Sequence, residues 1–572
     1  MADKWTVARA LDEIARYIEL SDPNPFRARA FQRAARAVEN LEGDITGVAR
    51  SDALYKTPGI GKAIGPIITE LVETGASPYL EEMRARYPPG IFDLLGVPGL
   101  GLKKIGVLHQ TFGIGSLDEL EQAAREGRLA KLRGFGAKTE AKILDGIEKA
   151  RRRESLFLLP TGLEIGEAMR ERLAAIDEVD DAEVVGSVRR RLEVIRNVNL
   201  AVATRNREAV ITALAGVLDQ WQQLDDDTWK GTVRNEIDVL FHFSDPKDFG
   251  RTVLRTTGAV DFVAAFEAKV PGTGTARTEE QLFEKGGIAF VEPERRETAD
   301  DLRRKKRGRL VEHNDLRGTF HVHTTYSDGR NTLREMLMAS RERELEYVGI
   351  SDHSKAAYYA GGLTEDRLRE QQSEIARQEK EVAPLRVFRG SEADILPDGN
   401  IDYDRKTRRK FDFIVASIHS RFNMTPDEMT ERILRALDDP DVTFLGHLTG
   451  RRLLSRDGYS MDFDRVFERA AERGVIMEIN GNPQRLDLDW RRIGRALDLG
   501  VVFSIHPDAH SIAELSHVIS GTWVARKAGL SPKHIFNTRP VEEVEEYLRQ
   551  RKTTVSAPSP RASGEKVPRS GG

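Results

Sequence analysis

From residue 318 onward seven short apolar segments, GTFHVH, YVGISDH, LRVFRGSE, DFIVASIH, VTFLGH, VIMEIN and VVFSIH, recur at strand–helix spacing. Stretches of helical periodicity such as NTLREMLMASRERE, TEDRLREQQSEIARQEKEV and PDEMTERILRAL separate many of them. Apolar strands joined by helices are buried on both faces, so residues 316–550 are predicted to form a parallel, barrel-like α/β domain. In such a barrel the C-terminal ends of the strands converge on one mouth.

Those ends share one chemistry. His321 and His323 close the first strand and Asp328 follows in its loop; His353 ends the second, Glu392 the third, His419 the fourth and His447 the fifth, and Asp508 and His510 follow the seventh. The chain has no cysteine, so thiolate ligands and cysteine nucleophiles are excluded, and a set of imidazoles and carboxylates suits manganese, zinc or iron. A carboxylate such as Glu392 can bridge two ions, which a neutral imidazole cannot. Closely spaced cations lower the pKa of water and neutralise charge on attacking and leaving oxygens, so phosphate-ester hydrolysis is the expected reaction.

The segments FHVHTTYSDG, SDHS, GSEADILPDG, ASIHS, GHLTGR, EINGNPQRLDLD and PDAHS resemble, in order, those of the polymerase-and-histidinol-phosphatase (PHP) domain. The resemblance implies a distorted (β/α)7 barrel and a site for three divalent ions, Mn²⁺ or Zn²⁺ with Fe²⁺ as an alternative. It assigns His321, His323, Glu392 and Asp508 to one ion and to catalysis, Glu392, His419 and His447 to a second, and Asp328, His353 and His510 to a third. His506-Pro507 departs from the small polar residues usual there, and His506 is read as an outer support or as packing. Arg451 and Lys355 are candidates for a substrate phosphate, with Tyr358 and Tyr359 as stacking groups.

Residues 1 to about 150 show helical periodicity broken by three glycine turns, TPGIGKAIG at 57–65, VPGLGLKKIG at 97–106 and LRGFGAKTEAKI at 132–143. Glycine lets a phosphate approach the amides that open the next helix. Gly59, Gly61 and Lys62, Gly99, Gly101 and Lys103, and Gly134, Gly136 and Lys138 are therefore the expected DNA contacts. This is the helix-hairpin-helix pattern, predicted as a lyase-like domain over 1–80 and a fingers-like domain over 81–153.

Residues 154–245 change to a small sheet with helices. GSVRRRLEVIRNVNLAVAT at 186–204 resembles the nucleotidyltransferase palm of family X DNA polymerases, and with the glycine turns and VEPERRET at 291–298 the match extends to bacterial family X polymerases with a fused PHP domain. The expected architecture is multidomain α+β: the helical front, the palm, a thumb-like segment at 246–300, a basic linker at 301–315, the barrel, and a disordered tail at 551–572. Where the family carries an Asp-x-Asp pair, this chain has Asn197 and Asn199. Amides cannot offset the charge of two Mg²⁺ ions, and Asp238 alone can hardly organise them. Nucleotide addition is therefore expected to be absent or very weak, with Ser187 and Arg190 left as vestigial phosphate contacts.

The resemblance implies Mn²⁺-dependent 3′-5′ exonuclease action in base-excision or gap repair, or cleavage at abasic sites. Alternatives are an active gap-filling polymerase with exonuclease, a non-catalytic DNA-binding scaffold, and a small-molecule phosphatase. The 88 Lys and Arg against 92 Asp and Glu give a net charge of −4, so total charge decides nothing about nucleic acid. No apolar run approaches the ~20 residues of a membrane span; the expected state is a cytoplasmic monomer with DNA as partner.

Overall fold

Amphipathic periodicity governs the front of the chain, and in the computed structural model it yields helices throughout. The structure describes residues 4–21, 25–39, 41, 45–51, 53–57, 59–132, 135–233, 237–270, 274–303 and 308–554. It divides into two units, residues 1–156 and 157–572. In the first, helices such as Lys4–Ser21, Gly65–Thr74, Leu102–Phe112 and Ala137–Glu154 close on one apolar core that includes Leu11, Ile14, Ile68, Leu94 and Ile105. Among the described residues, no helix is long and apolar enough to cross a membrane.

The second unit opens with helix Leu159–Ala174 and a five-stranded sheet: β1 (Val179–Val185), β2 (Asn197–Thr204), β3 (Asp219–Gln223), β4 (Thr228–Val233) and β5 (Ile237–Ser244). The order is β1-β2-β5-β4-β3, with β2 and β5 parallel and the other pairs antiparallel. The apolar runs of β1, β2 and β5 are legible in the sequence. Strands β3 and β4 are not, because DQWQQ and TWKGTV form a largely polar edge that lacks the apolar signal.

Seven parallel strands follow: β6 (Gly318–Val322), β7 (Tyr347–Ile350), β8 (Arg386–Asp394), β9 (Phe413–Ser417), β10 (Phe444–Leu445), β11 (Ile476–Asn480) and β12 (Phe503–His506), neighbours in chain order. The sheet almost closes. His323 N donates to Ala509 O at 2.8 Å and Ala509 N to His321 O at 3.2 Å, stitching the end of the first strand to the segment after the last. Helices start where side chains satisfy their first amides, with full capping boxes at Thr332/Glu335 and Thr425/Glu428. An aromatic cluster of Phe320, Phe388, Phe413, Phe444 and Phe536 fills one side of the barrel sheet, and Phe444 reaches His506 with ring centroids 4.9 Å apart. The last helix runs Val541–Thr554, past the expected start of the tail, and residues 555–572 lie outside the described ones, as do 304–307 of the basic linker.

Candidate metal centre

All nine predicted ligands gather at the mouth of the barrel. His321 Nε2 lies 3.4 Å from Glu392 Oε2 and 3.5 Å from Asp508 Oδ1, and His323 Nε2 lies 3.5 Å from each of the same two oxygens. These separations are too long for good hydrogen bonds. Both nitrogens are buried without a hydrogen-bond partner among the described residues, a costly state unless something else meets them. Four ligands around one ion at ~2.1 Å stand about 3.4 Å apart along each tetrahedral edge, which matches these four spacings, and the ligating atoms of His321, His323 and Asp508 all lie within 4.8 Å of one another.

Two further groups adjoin this one. Glu392 turns its other oxygen, Oε1, to His419 Nε2 at 3.2 Å and to His447 Nε2 at 2.9 Å, so one carboxylate faces two positions. Asp328 Oδ1 lies 3.5 Å from His353 Nε2 and 3.4 Å from His510 Nε2. The ligating atoms of His323, Asp328, His353 and His510 all lie within 4.8 Å of one another. This last group is the open side of the cluster, since Asp328 and His510 are partly exposed while His321, His323 and Glu392 are buried. His447 (φ 21°) and Asp508 (φ 53°) both hold left-handed backbone, strain of the kind that collects at sites where side-chain aim is fixed by function.

Outer partners hold the rings. Glu478 Oε2 accepts from His321 Nδ1 at 2.6 Å and also faces His506 Nδ1 at 3.1 Å, while its Oε1 accepts from His447 N at 3.0 Å. Asp394 Oδ1 takes His419 Nδ1 at 2.8 Å. Asp352 accepts from Thr324 N, Thr324 Oγ1 and Ser327 Oγ and so shapes the loop that carries Asp328. Such partners fix ring orientation and raise ligand basicity. Sequence reasoning missed Glu478 and Asp394. The available signal was a single carboxylate inside the otherwise apolar run VIMEI, a charge that a buried strand tolerates only when paired.

The charges balance within the cluster. Burial alone would raise the Glu392 and Asp508 carboxyls, yet the surrounding imidazoles hold both well below the ordinary carboxylate range. His323 is pushed down to about 3 by burial and by its neighbours His510 and His353, which keeps the ring neutral, as a ligand must be.

The structure redirects three expected phosphate contacts. Arg451 points away from the ligands: its guanidinium is taken up by Asp489 Oδ2 at 2.8 Å, Arg485 O at 2.9 Å and Leu486 O, with Glu193 at 3.5 Å. Arg485 takes the position instead, its Nε 3.3 Å from Asp508 Oδ2. Lys355 is exposed but paired with Glu365 at 2.6 Å. Arg190 is bound to Thr257 O at 2.6 Å and Glu297 Oε1 at 3.1 Å, where Lys527 from the barrel also meets Glu297.

The palm residues do not fit a two-cation site. Asn199 Nδ2 donates to Asn197 Oδ1 at 2.7 Å, Asn199 Oδ1 faces His242 Nε2 at 3.0 Å, and Asp238, the one carboxylate of the three, has Lys230 Nζ at 3.4 Å. One hydrogen bond ties the two amides together, and the remaining negative charge already has a cation beside it. Ser187 sits in the short helix Gly186–Arg189 that follows β1.

In the helical unit, Gly59 (φ 98°) and Gly99 (φ 86°) take the left-handed turn that opens two of the hairpins. Gly101 and Gly136 cap helices Leu102–Phe112 and Ala137–Glu154. A Cβ on Gly61, Gly101 or Gly136 would meet nothing within 4 Å, so internal packing among the described residues does not demand glycine there and the amides stay open to an incoming group. Lys62 and Lys103 are exposed beside them. Lys104 folds back on Gly99 O at 2.8 Å, and Gly134 and the Lys138 side chain lie outside the described residues.

Three family models match the chain: a helix-hairpin-helix domain over residues 3–77, a SAM-like helix-hairpin-helix tandem over 91–149 and a PHP domain over 319–482. The PHP region also resembles probable phosphatases, one from Caldanaerobacter subterraneus subsp. tengcongensis at 25% identity over 41% of this chain and 92% of that protein, and one from Photobacterium profundum at 27% over 40% and 93%. The DNA polymerase/3′-5′ exonuclease PolX of Bacillus subtilis is 32% identical over 96% of this chain and 99% of its own length. With helix-hairpin-helix segments before the mixed α/β body and a PHP barrel after it, matched over nearly the full length of that relative, the chain belongs to the bacterial PolX family of DNA polymerase/3′-5′ exonucleases.

Proposed function

We propose that this chain is a divalent-cation-dependent hydrolase of DNA, a 3′-5′ exonuclease or phosphodiesterase serving base-excision or gap repair, and that it no longer adds nucleotides. The observation that carries the hydrolase reading is the set of buried, unpartnered imidazole nitrogens held against carboxylate oxygens at tetrahedral-edge spacing. His321, His323, Glu392 and Asp508 would hold one ion, Glu392, His419 and His447 a second, and Asp328, His353 and His510 a third, with manganese or zinc suited to these donors. When bound, the cations supply activation of water and neutralisation of phosphate charge. Glu478 and Asp394 keep the rings aimed, and Arg485 places a fixed positive charge at the mouth.

DNA as substrate is supported by the open hairpin amides and by the likeness to the DNA polymerase/3′-5′ exonuclease of Bacillus subtilis. The phosphatase names of the shorter relatives make a small phosphomonoester the rival substrate. Loss of nucleotide addition is supported by the amide pair at Asn197 and Asn199 and by the commitment of Arg190 to Glu297. The test is hydrolysis in Mn²⁺ of a 3′-ended oligonucleotide against p-nitrophenyl phosphate. Release of nucleotides from the oligonucleotide with little turnover of the monoester is expected, and the reverse preference would overturn the reading.

A further inference from the structure

Strands β6 and β12 stand at the two ends of the barrel sheet, so no continuous ladder joins them. Yet several ligands meet across this seam. His321 on β6 and His323 just past it each lie 3.5 Å from Asp508 after β12, and Asp328 Oδ1 after β6 lies 3.4 Å from His510 Nε2. Their spacing depends on the offset between two strands whose own pairing does not fix it. Near the ligands the seam is held by the two backbone bonds that link His321 and His323 to Ala509. Pro507 has no N–H with which to extend them.

Three residues before His321, about 10 Å down the strand, a side chain takes over. Asn537 is fully buried in the segment after the last strand, outside the matched PHP region. Its Nδ2 donates to Gly318 O and to Ile505 O, both at 2.8 Å, and its Oδ1 accepts from Ile505 N at 2.9 Å. Its backbone carbonyl accepts from Arg317 N at 2.9 Å. A carboxamide carries an acceptor and two donors in one plane, so it pairs with Ile505 as a neighbouring strand would and passes its remaining donor to β6. The same group reaches the ligands by a second route. Ser504 Oγ donates to Asn537 Oδ1 at 3.1 Å and lies 2.8 Å from His506 Nε2; His506 Nδ1 faces Glu478 Oε2, which accepts from His321 Nδ1. Ser504, His506 and Glu478 are as buried as Asn537.

We propose that Asn537 is a positioning residue for the metal centre: it sets the offset of β6 against β12, and with it the spacing of the ligands that meet across the seam. The proposal rests on the hydrolase reading and its three ions, and it makes those ions unequal. The ion assigned to His321, His323, Glu392 and Asp508 and the one assigned to Asp328, His353 and His510 both span the seam. Glu392, His419 and His447 instead stand on or after β8, β9 and β10, neighbours joined by parallel pairing. A change at Asn537 should loosen the first two ions and spare the third.

The experiment is a Mn²⁺ titration followed by electron paramagnetic resonance on the unaltered protein, Asn537→Asp and Asn537→Ser, with Tm measured on each. Asn537→Asp keeps the shape but turns an acceptor towards Gly318 O and Ile505 O; Asn537→Ser, which keeps one donor, is the milder change should the first not fold. In a folded variant, affinity for two of the three ions is expected to fall about 10–100-fold, the scale for groups that orient metal ligands, while one ion binds as before. An asparagine that only holds the fold would lower Tm and leave all three affinities unchanged, or weaken the three alike, and either result overturns the proposal while the hydrolase reading stands. An unaltered protein that binds no Mn²⁺ overturns both.

Discussion

Glu478 Oε2 and His321 Nδ1 meet at 2.6 Å inside the barrel wall, and the opposite nitrogen of the same ring faces Glu392 and Asp508. A carboxylate behind a ligating imidazole fixes which nitrogen is free for the cation. Glu478→Gln is expected to weaken Mn²⁺ affinity by about 10–100-fold, read by titration with electron paramagnetic resonance. Unchanged affinity would mean that Glu478 only fills space.

Loading should release protons. Burial would lower His419 and His510, but Glu392 and Asp394 beside the first and Asp328 and Asp508 beside the second raise them, to about 10 and about 9. Both rings are therefore charged at pH 7 without cations, and both must be neutral to ligate. His321 is charged as well, because Glu478, Asp508 and Glu392 raise it well above the usual imidazole range against the effect of burial, so uptake should expel about three protons and tighten as pH rises toward about 10. Calorimetry in two buffers of different ionisation enthalpy counts the protons, and identical heats in both would contradict the assignment.

Arg451 is a strut. It ties the turn at Arg485 and Leu486 to Asp489, and Glu193 of the palm segment meets both Arg451 and Arg491, the latter at 3.0 Å. Removing a buried charged hydrogen-bond partner costs about 1–3 kcal/mol. Arg451→Ala is expected to lower Tm and leave KM for the oligonucleotide unchanged; a raised KM with unchanged Tm would restore it as a phosphate contact.

Primer extension on gapped DNA should be absent with Mg²⁺ or Mn²⁺. Asn197→Asp with Asn199→Asp should bring back little of it, because Lys230 still faces Asp238 and Arg190 stays bound to Glu297. Clear extension by the unaltered protein would contradict the loss.

What the sequence discloses follows from how each feature is constrained. Cations must sit where strands converge, so His321, His353, His419 and His447 recur at strand ends and can be read in order. Glu478 and Asp394 answer to no spacing rule, since each needs only to point at one ring. Arg451 and Arg485 look alike in sequence as loop arginines. Which one turns inward is decided by the carbonyls of the turn at 485–486, a tertiary fact. The polar strands β3 and β4 were hidden for a related reason: they are specified by pairing, β4 on β5 and β3 on β4, and their own composition carries no apolar pattern.

The account stands on cations held at the barrel mouth. Metal content and oligonucleotide hydrolysis, measured together on the unaltered protein and on His321→Ala with His323→Ala, test it most directly. The unaltered protein is expected to purify with, or take up, manganese or zinc and to shorten a 3′-ended strand, and the variant to lose both metal and hydrolysis while remaining folded. A variant that keeps its hydrolysis, or an unaltered protein that neither binds divalent cations nor cuts phosphodiesters, would contradict it.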